Sequence, residues 1–249
     1  MEVHHHAHTA RKKWTHYFWE FLMLFLAVFC GFLAEYKLEH VIEHNREKIF
    51  METLLEDLKD DTLDLKSDLI FWDRKIKRID SLKTELNKKP TERNSKSQYR
   101  YAATVQRGNS FLFHDRTLQQ LKNSGNFRLI RKRNVSEALS AYDSYILNTV
   151  KNIEQIYSNN LEDLIKIMHS LFNEDFFQLA NNSYQFDSAI ASKPGVITMR
   201  KRNDDLFFEF YNSLTSHIRE CRYRMTVYHS VLKRATDMIA LIKKEYHLK

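Results

Sequence analysis

Glycine occurs four times and proline twice in 249 residues. Strands and tight turns are punctuated by these residues, so their scarcity excludes a fold of many short strands and predicts a few long helices. Gly108, Gly125, Gly195, Pro90 and Pro194 fall in gaps between apolar-periodic stretches, and Gly31 lies in a hydrophobic one. Cysteine is as sparse. Cys30 in the hydrophobic segment and Cys221 in a helix core are not placed to pair, so no disulfide is expected. There is no glycine-rich loop to cradle phosphate. No serine or cysteine sits where a strand-turn-helix would expose a nucleophile, and the motifs predict a protein that is not an enzyme and needs no cofactor.

The chain does contain one long apolar stretch. Residues 14–36, WTHYFWEFLMLFLAVFCGFLAEY, have an uninterrupted apolar run at Phe21–Ala34 with aromatic residues at both ends, as interfacial belts require. Cleavage after Ala34 would put Phe32 where a small residue is needed, so the segment is expected to stay as a single membrane-spanning helix. Arg11, Lys12 and Lys13 abut its N-terminal end, which predicts a cytoplasmic tail 1–13 and a periplasmic body 37–249 on a bacterial inner membrane. The formal charge of +7 arises after the anchor, because Arg11, Lys12 and Lys13 cancel against Glu2, Glu20 and Glu35. A body outside the cytoplasm excludes nucleic acid and leaves the lipid bilayer as the expected partner of that charge.

The faces of the anchor differ. Phe18, Phe21, Phe25, Phe29 and Phe32 share one side; His16, Glu20, Leu24, Ala27, Gly31 and Ala34 line the other. Small residues allow close helix approach, so Ala27, Gly31 and Ala34 predict a contact with a second copy or another membrane protein. Glu20, with His16, either faces such a partner or snorkels to the surface.

Beyond the anchor the pattern is helical. Phe207, Tyr211, Leu214, Ile218, Cys221, Met225, Tyr228, Leu232, Ala235, Ile239, Ile242 and Tyr246 alternate steps of four and three, the seam of a supercoiled helix. Leu58, Thr62, Leu65, Leu69, Trp72, Ile76, Ile79, Lys83 and Leu86 repeat it. A third series from Leu139 to Leu171 contains extra steps of four, which predicts a locally relaxed supercoil. The expected fold is all-α: the anchor continues into an elongated antiparallel three-helix, coiled-coil-like bundle. Its long helices are placed near 37–88, 134–179 and 203–247, running up, down and up, with a short capping helix near 115–124 ended by Gly125. Segment 89–114 would then cap the distal end and 180–202 would return beside the membrane. There Arg200, Lys201 and Arg202 would meet anionic lipid headgroups or form a solvated loop.

Two histidine groups are candidate metal sites. His4, His5, His6 and His8 in the tail could hold zinc, nickel or copper. His40 and His44 stand one helical turn apart and, with Glu43, match the H-x-x-E-H peptidase string; the surrounding glutamate ladder reads instead as a solvated juxtamembrane face. Asp57, Asp60, Asp61 and Asp64 are expected to be solvated, since they spread over several helix faces. His217 shares a face with the core residue Cys221, and burial is the expected reason.

The MEVHHHAH start, the FLMLFLAVFCGFLAE anchor, LLEDLKDDT at 54–62 and TLQQLKNSGNFRLI at 117–130 resemble a family of single-pass membrane proteins from Bacteroidota, known as a domain of unknown function. The resemblance implies a Gram-negative host, a periplasmic body and natural histidines. It also implies that Leu121, Gly125, Asn126 and Leu129 shape a turn. The functional expectation is a membrane-anchored scaffold or accessory protein of the envelope. The alternatives are a sensor that signals through a separate partner, since a 13-residue tail holds no output domain, and metal handling by the histidines.

Overall fold

The computed structural model describes residues 14–174, 176, 177, 188 and 204–248. These residues are mostly helical with no strand among them, which bears out the all-α expectation. Among the described residues six α-helices have assigned bounds, in order: α1 (Trp14–Asn87), α2 (Ser95–Val105), α3 (Arg116–Asn123), α4 (Arg133–Tyr145), α5 (Lys151–Leu171) and α6 (Asp204–Tyr246). Short 3-10 turns occupy Pro90–Glu92 and Asn126–Leu129, and a π turn occupies Ile146–Val150. The chain divides into two units, Met1–Phe50 and Met51–Lys249.

In the second unit, α1 buries Met51, Leu58, Leu65, Trp72, Ile79 and Leu86, a strict seven-residue column closed to solvent. On α6 the equivalent column is Phe207, Leu214, Cys221, Tyr228, Ala235 and Ile242. The expected seams are therefore real, but they are wider than apolar periodicity suggests. Each helix buries a second column: Leu54, Asp61, Asp68, Lys75 and Leu82 on α1, and Phe210, His217, Arg224, Val231 and Met238 on α6. The expected seam positions Thr62, Lys83, Tyr211, Met225, Leu232 and Ile239 are only half-buried flanks.

Cross-helix contacts set the directions. Asn87 Nδ2 donates to the Tyr211 hydroxyl (3.0 Å) and Lys83 Nζ to Thr215 Oγ1 (2.8 Å), while Trp72 lies against Arg224, so α6 is antiparallel to α1. Asn134 Nδ2 donates to Glu245 (2.8 Å) and Asn160 Nδ2 to Glu220 (2.8 Å), so α6 is antiparallel to α4 and α5 as well. The up, down and up order is thus corrected: α1 and α4–α5 run the same way and α6 alone returns. The reason is residues 88–132, which carry the chain back along α1 instead of capping its end. Arg200, Lys201 and Arg202 lie outside the described residues. The helix ends flanking that connection, Leu171 and Asp204, sit at the Asn87 end of the bundle, where Phe172 meets Phe210 and Arg93 lies over Phe207.

Helix α2 was not expected. Asn94 starts it by accepting from the Ser97 N–H (3.1 Å), and Tyr99 packs against Phe172, Phe176 and Phe177. The short capping helix is present as α3, followed by Gly125 at φ 69. Leu121 and Leu129 are buried on either side of that turn, in line with the turn the resemblance implies. The second long helix ends at Leu171, before the expected 179, because Phe172 turns extended (φ −117, ψ 156). Its relaxed supercoil is a π turn: Tyr142, Ile146 and Val150 lie four apart, and one extra residue in the turn keeps all three on the buried face. Asn148 sits in that turn and donates to the Ser144 carbonyl (2.9 Å).

Candidate functional site: a buried polar column holding an extended strap

Between α2 and α3, residues 106–115 form neither helix nor strand, yet they run along the bundle against α1. An extended segment so placed needs partners for its carbonyls and amides. Charged residues of the second columns, joined by Asp57 of α1 and Glu154 of α5, supply them, sorted by sign. Lys75 Nζ donates to the carbonyls of Val105 (2.9 Å) and Arg107, and Arg224 Nη1 donates to the carbonyl of Asn109 (3.0 Å). Further along, the Phe111 N–H donates to Glu154 (2.9 Å), the His114 N–H to Asp61 (2.9 Å) and the Thr117 N–H to Asp57 (2.9 Å). Cations take the carbonyls and carboxylates take the amides. The partners on α1 step down from Lys75 through Asp68 and Asp61 to Asp57 as the strap advances, so the strap is antiparallel to α1.

Each anchor has its own local support. Asp57 also receives Arg116 Nη2 (2.7 Å) and so closes the N-terminus of α3 from another helix. Asp61 also accepts from the Tyr142 hydroxyl (2.7 Å) and His114 Nδ1 (3.1 Å); burial pushes its carboxyl up and the His114 and Tyr142 bonds pull it back. Asp68 is bonded by Asn109 of the strap, and burial raises it to about 6. The expectation of four solvated aspartates is corrected for Asp57 and Asp61, which are buried; Asp60 and Asp64 stay about half exposed.

The middle of the column is a compact polar layer. Lys75 gives its third N–H to the Tyr157 hydroxyl (2.6 Å), and that hydroxyl lies 3.3 Å from His217 Nε2. Tyr157 has one proton to give and already accepts from Lys75, so it donates to Nε2, leaving the imidazole hydrogen on Nδ1. The Arg224 guanidinium is sandwiched 4.7 Å from the Trp72 ring and 4.1 Å from the Tyr157 ring, with Glu154 4.0 Å away. Tyr228 donates to Glu154 (2.6 Å). Desolvation dominates throughout: it holds Lys75 down at about 7 and His217 at about 3, and lifts Cys221 to about 11. Burial explains His217 and Cys221, as expected, but the layer they join was not expected. Its signal in the sequence is charged or polar residues spaced by seven beside an apolar column: Asp61, Asp68 and Lys75, then His217 and Arg224.

The anchor-side residues are arranged differently. His16 Nε2 meets Glu20 Oε1 at 3.0 Å on one helix face. Phe21, Phe25 and Phe29 stack at 6.3 and 5.9 Å along another, and Ala27, Gly31 and Ala34 are exposed. His40 stands edge-on to Tyr36 at 4.4 Å, and His44 Nδ1 lies 3.7 Å from Glu47. No group of three or more His, Cys, Asp or Glu able to hold a metal occurs among the described residues. His4, His5, His6 and His8 lie outside them. Compared with family profiles, curated proteins and solved structures, the chain finds no match in any of the three.

Proposed function

We propose that the chain is a single-pass, membrane-anchored helical-bundle accessory protein of the bacterial envelope that works by binding a partner and not by catalysis. The observation that carries this reading is the first stretch of α1. It is long and apolar enough to cross a bilayer, and none of its most apolar window is buried. Aromatic side chains exposed on this scale on one helix call for lipid or a partner helix around them. Arg11, Lys12 and Lys13 support a cytoplasmic N-terminus and a periplasmic body, and the resemblance to the Bacteroidota family supports a Gram-negative inner membrane.

Gly31 supports a helix-helix contact. A methyl group built there meets nothing within 4 Å, so the chain's own fold has no need of the glycine. Its smallness matters to whatever packs against the Ala27, Gly31 and Ala34 face, in our reading a second copy of the chain. The buried column supports binding over chemistry, because Lys75, Arg224 and Asp61 are engaged with strap backbone, Asp68 with the Asn109 side chain and His217 with the Tyr157 hydroxyl.

Single-cysteine variants along residues 20–34 in native membrane, after replacement of Cys30, test the contact. Crosslinking that peaks at 27, 31 and 34 supports the reading; crosslinking without helical periodicity, or none, defeats the homo-oligomer. Carbonate washing of the same membranes tests the anchor, which is refuted if the protein is released.

A further inference from the structure

Where the strap leaves α2 it stands across from α1, and a cavity of about 480 Å³ opens between them. That volume suits a small organic ligand. Arg74 and Arg78 stand one turn apart on α1, Arg107 contributes from the strap, and Lys75 lines the same space. No carboxylate is among the described residues that line it. Asp73, the adjacent acid on α1, is bonded to Lys77 at 2.7 Å. Arg74 and Arg78 have no hydrogen bond or ion pair with any described residue. Like charges at this helical spacing repel, so the chain itself leaves the pair uncompensated.

The remaining lining narrows the ligand. Lys75 has given its three N–H groups to Val105, Arg107 and Tyr157, so it adds no further bond. By holding the Arg107 carbonyl it also fixes the backbone from which the third guanidinium departs. Thr104 spends its proton on the Tyr101 carbonyl (2.5 Å), which leaves the Ser67 hydroxyl as the neutral donor. Ile70 and Phe71 form an apolar wall. The uncompensated guanidiniums of Arg74 and Arg78, with the charge of Arg107 beside them, match a doubly charged tetrahedral oxyanion better than the single charge of a carboxylate, and an apolar wall has no role for a bare inorganic ion.

We propose that this cavity binds a phosphate monoester bearing an apolar group, gripped by Arg74, Arg78 and Arg107 with the apolar group against Ile70 and Phe71. The site stands on its own residues and does not depend on the anchor or its orientation.

Calorimetric titration of the full chain in neutral detergent with phenyl phosphate, at constant ionic strength, tests it. Saturable binding by the wild type is expected, weakened at least about tenfold in the Arg74→Gln/Arg78→Gln double variant. Inorganic phosphate should bind more weakly, and phenol not at all. Both substituted positions are exposed, and Arg107→Gln serves as the second variant, with circular dichroism showing that each retains its helix. Equal binding by wild type and variants, no saturable binding, or equal heats from phenol would overturn the proposal. The ester could come from solution or from a lipid headgroup. In nanodiscs of phosphatidylcholine, with and without phosphatidic acid, phenyl phosphate binding suppressed by phosphatidic acid identifies the lipid source; unchanged binding identifies the soluble one.

Discussion

Lys75 is an ammonium with no carboxylate in reach among the described residues, facing the Tyr157 hydroxyl, His217, Cys221 and Arg224. Burial is the larger cause of its depressed pKa, and Arg224 adds to it. The unfolded chain holds this proton up to the ordinary lysine range, whereas the folded chain releases it near pH 7. Across that interval the unfolded state binds more protons, so stability rises with pH. Cys221, lifted to about 11, opposes the trend above pH 9, and His217 is neutral in both states above about pH 6.5. Urea unfolding of the detergent-solubilised chain is therefore expected to give a stability that climbs from pH 7 to pH 9, and Lys75→Met should flatten that climb. An unchanged slope in the variant would assign it to other groups. Gly125 makes the simpler case. It adopts φ 69, and a Cβ there meets nothing, so Gly125→Ala should cost about 1 kcal/mol from backbone strain alone. A neutral result in the same urea titration would show that the turn adjusts.

The strap turns buried charge into element-level order. Glu154 and Asp61 each accept one strap amide; the Phe111 N–H has the Tyr228 hydroxyl as a second acceptor (3.1 Å), whereas removing Asp61 strands the His114 N–H at a cost of about 1–3 kcal/mol. Asp61→Ala should destabilise by that amount and speed hydrogen exchange at His114 more than at Phe111, while Glu154→Ala, which leaves Phe111 its Tyr228 acceptor, should speed exchange at Phe111 less than Asp61→Ala does at His114. Uniform exchange along the strap in both variants would mean that it opens as one piece. The π turn gives a second expectation. It holds one residue more than an α-helix needs, so deleting the exposed Asn148 should leave Leu164 and Met168 facing the core. Deleting Asp163 from the regular part of α5 should instead rotate them out and abolish cooperative unfolding; similar melting of the two deletions would contradict the argument. These elements also show what apolar periodicity conveys and what it hides. Leu58 to Leu86 and Phe207 to Tyr246 announced two long helices, and the doubled steps at Tyr142, Ile146 and Val150 announced the irregular one. Asp61, Asp68, Lys75, His217 and Arg224 sit at core register, but a charged residue reads as solvated until the segment that neutralises it is known. The strap has no periodicity of its own. Its partners lie tens of residues away, so neither it nor the layer was legible, and with them went the directions of the second and third long helices.

At the scale of the whole molecule the division at Met51 falls inside α1, where the pattern of burial changes character. Before it, Phe21, Phe25, Phe29 and Phe32 are exposed; after it, Met51, Leu58 and Leu65 begin a column closed to solvent. The described part of the second unit has its own core, and the strap, the polar layer and the arginine-lined cavity lie wholly within it. The apolar anchor was readable because a bilayer span needs only a run of apolar residues, without knowledge of any other segment. Residues 51–249 expressed without the first 50 should then remain in the supernatant after ultracentrifugation without detergent, unfold cooperatively in urea and protect the Phe111 and His114 amides from exchange. The full chain should require detergent under the same conditions. Losing residues 1–50 removes one face of helical continuation and no strap anchor, so the expected loss of stability is that of a frayed helix end, about 1 kcal/mol. If residues 51–249 aggregate or exchange their strap amides freely, the body depends on its anchor for folding, and the two units are one cooperative structure.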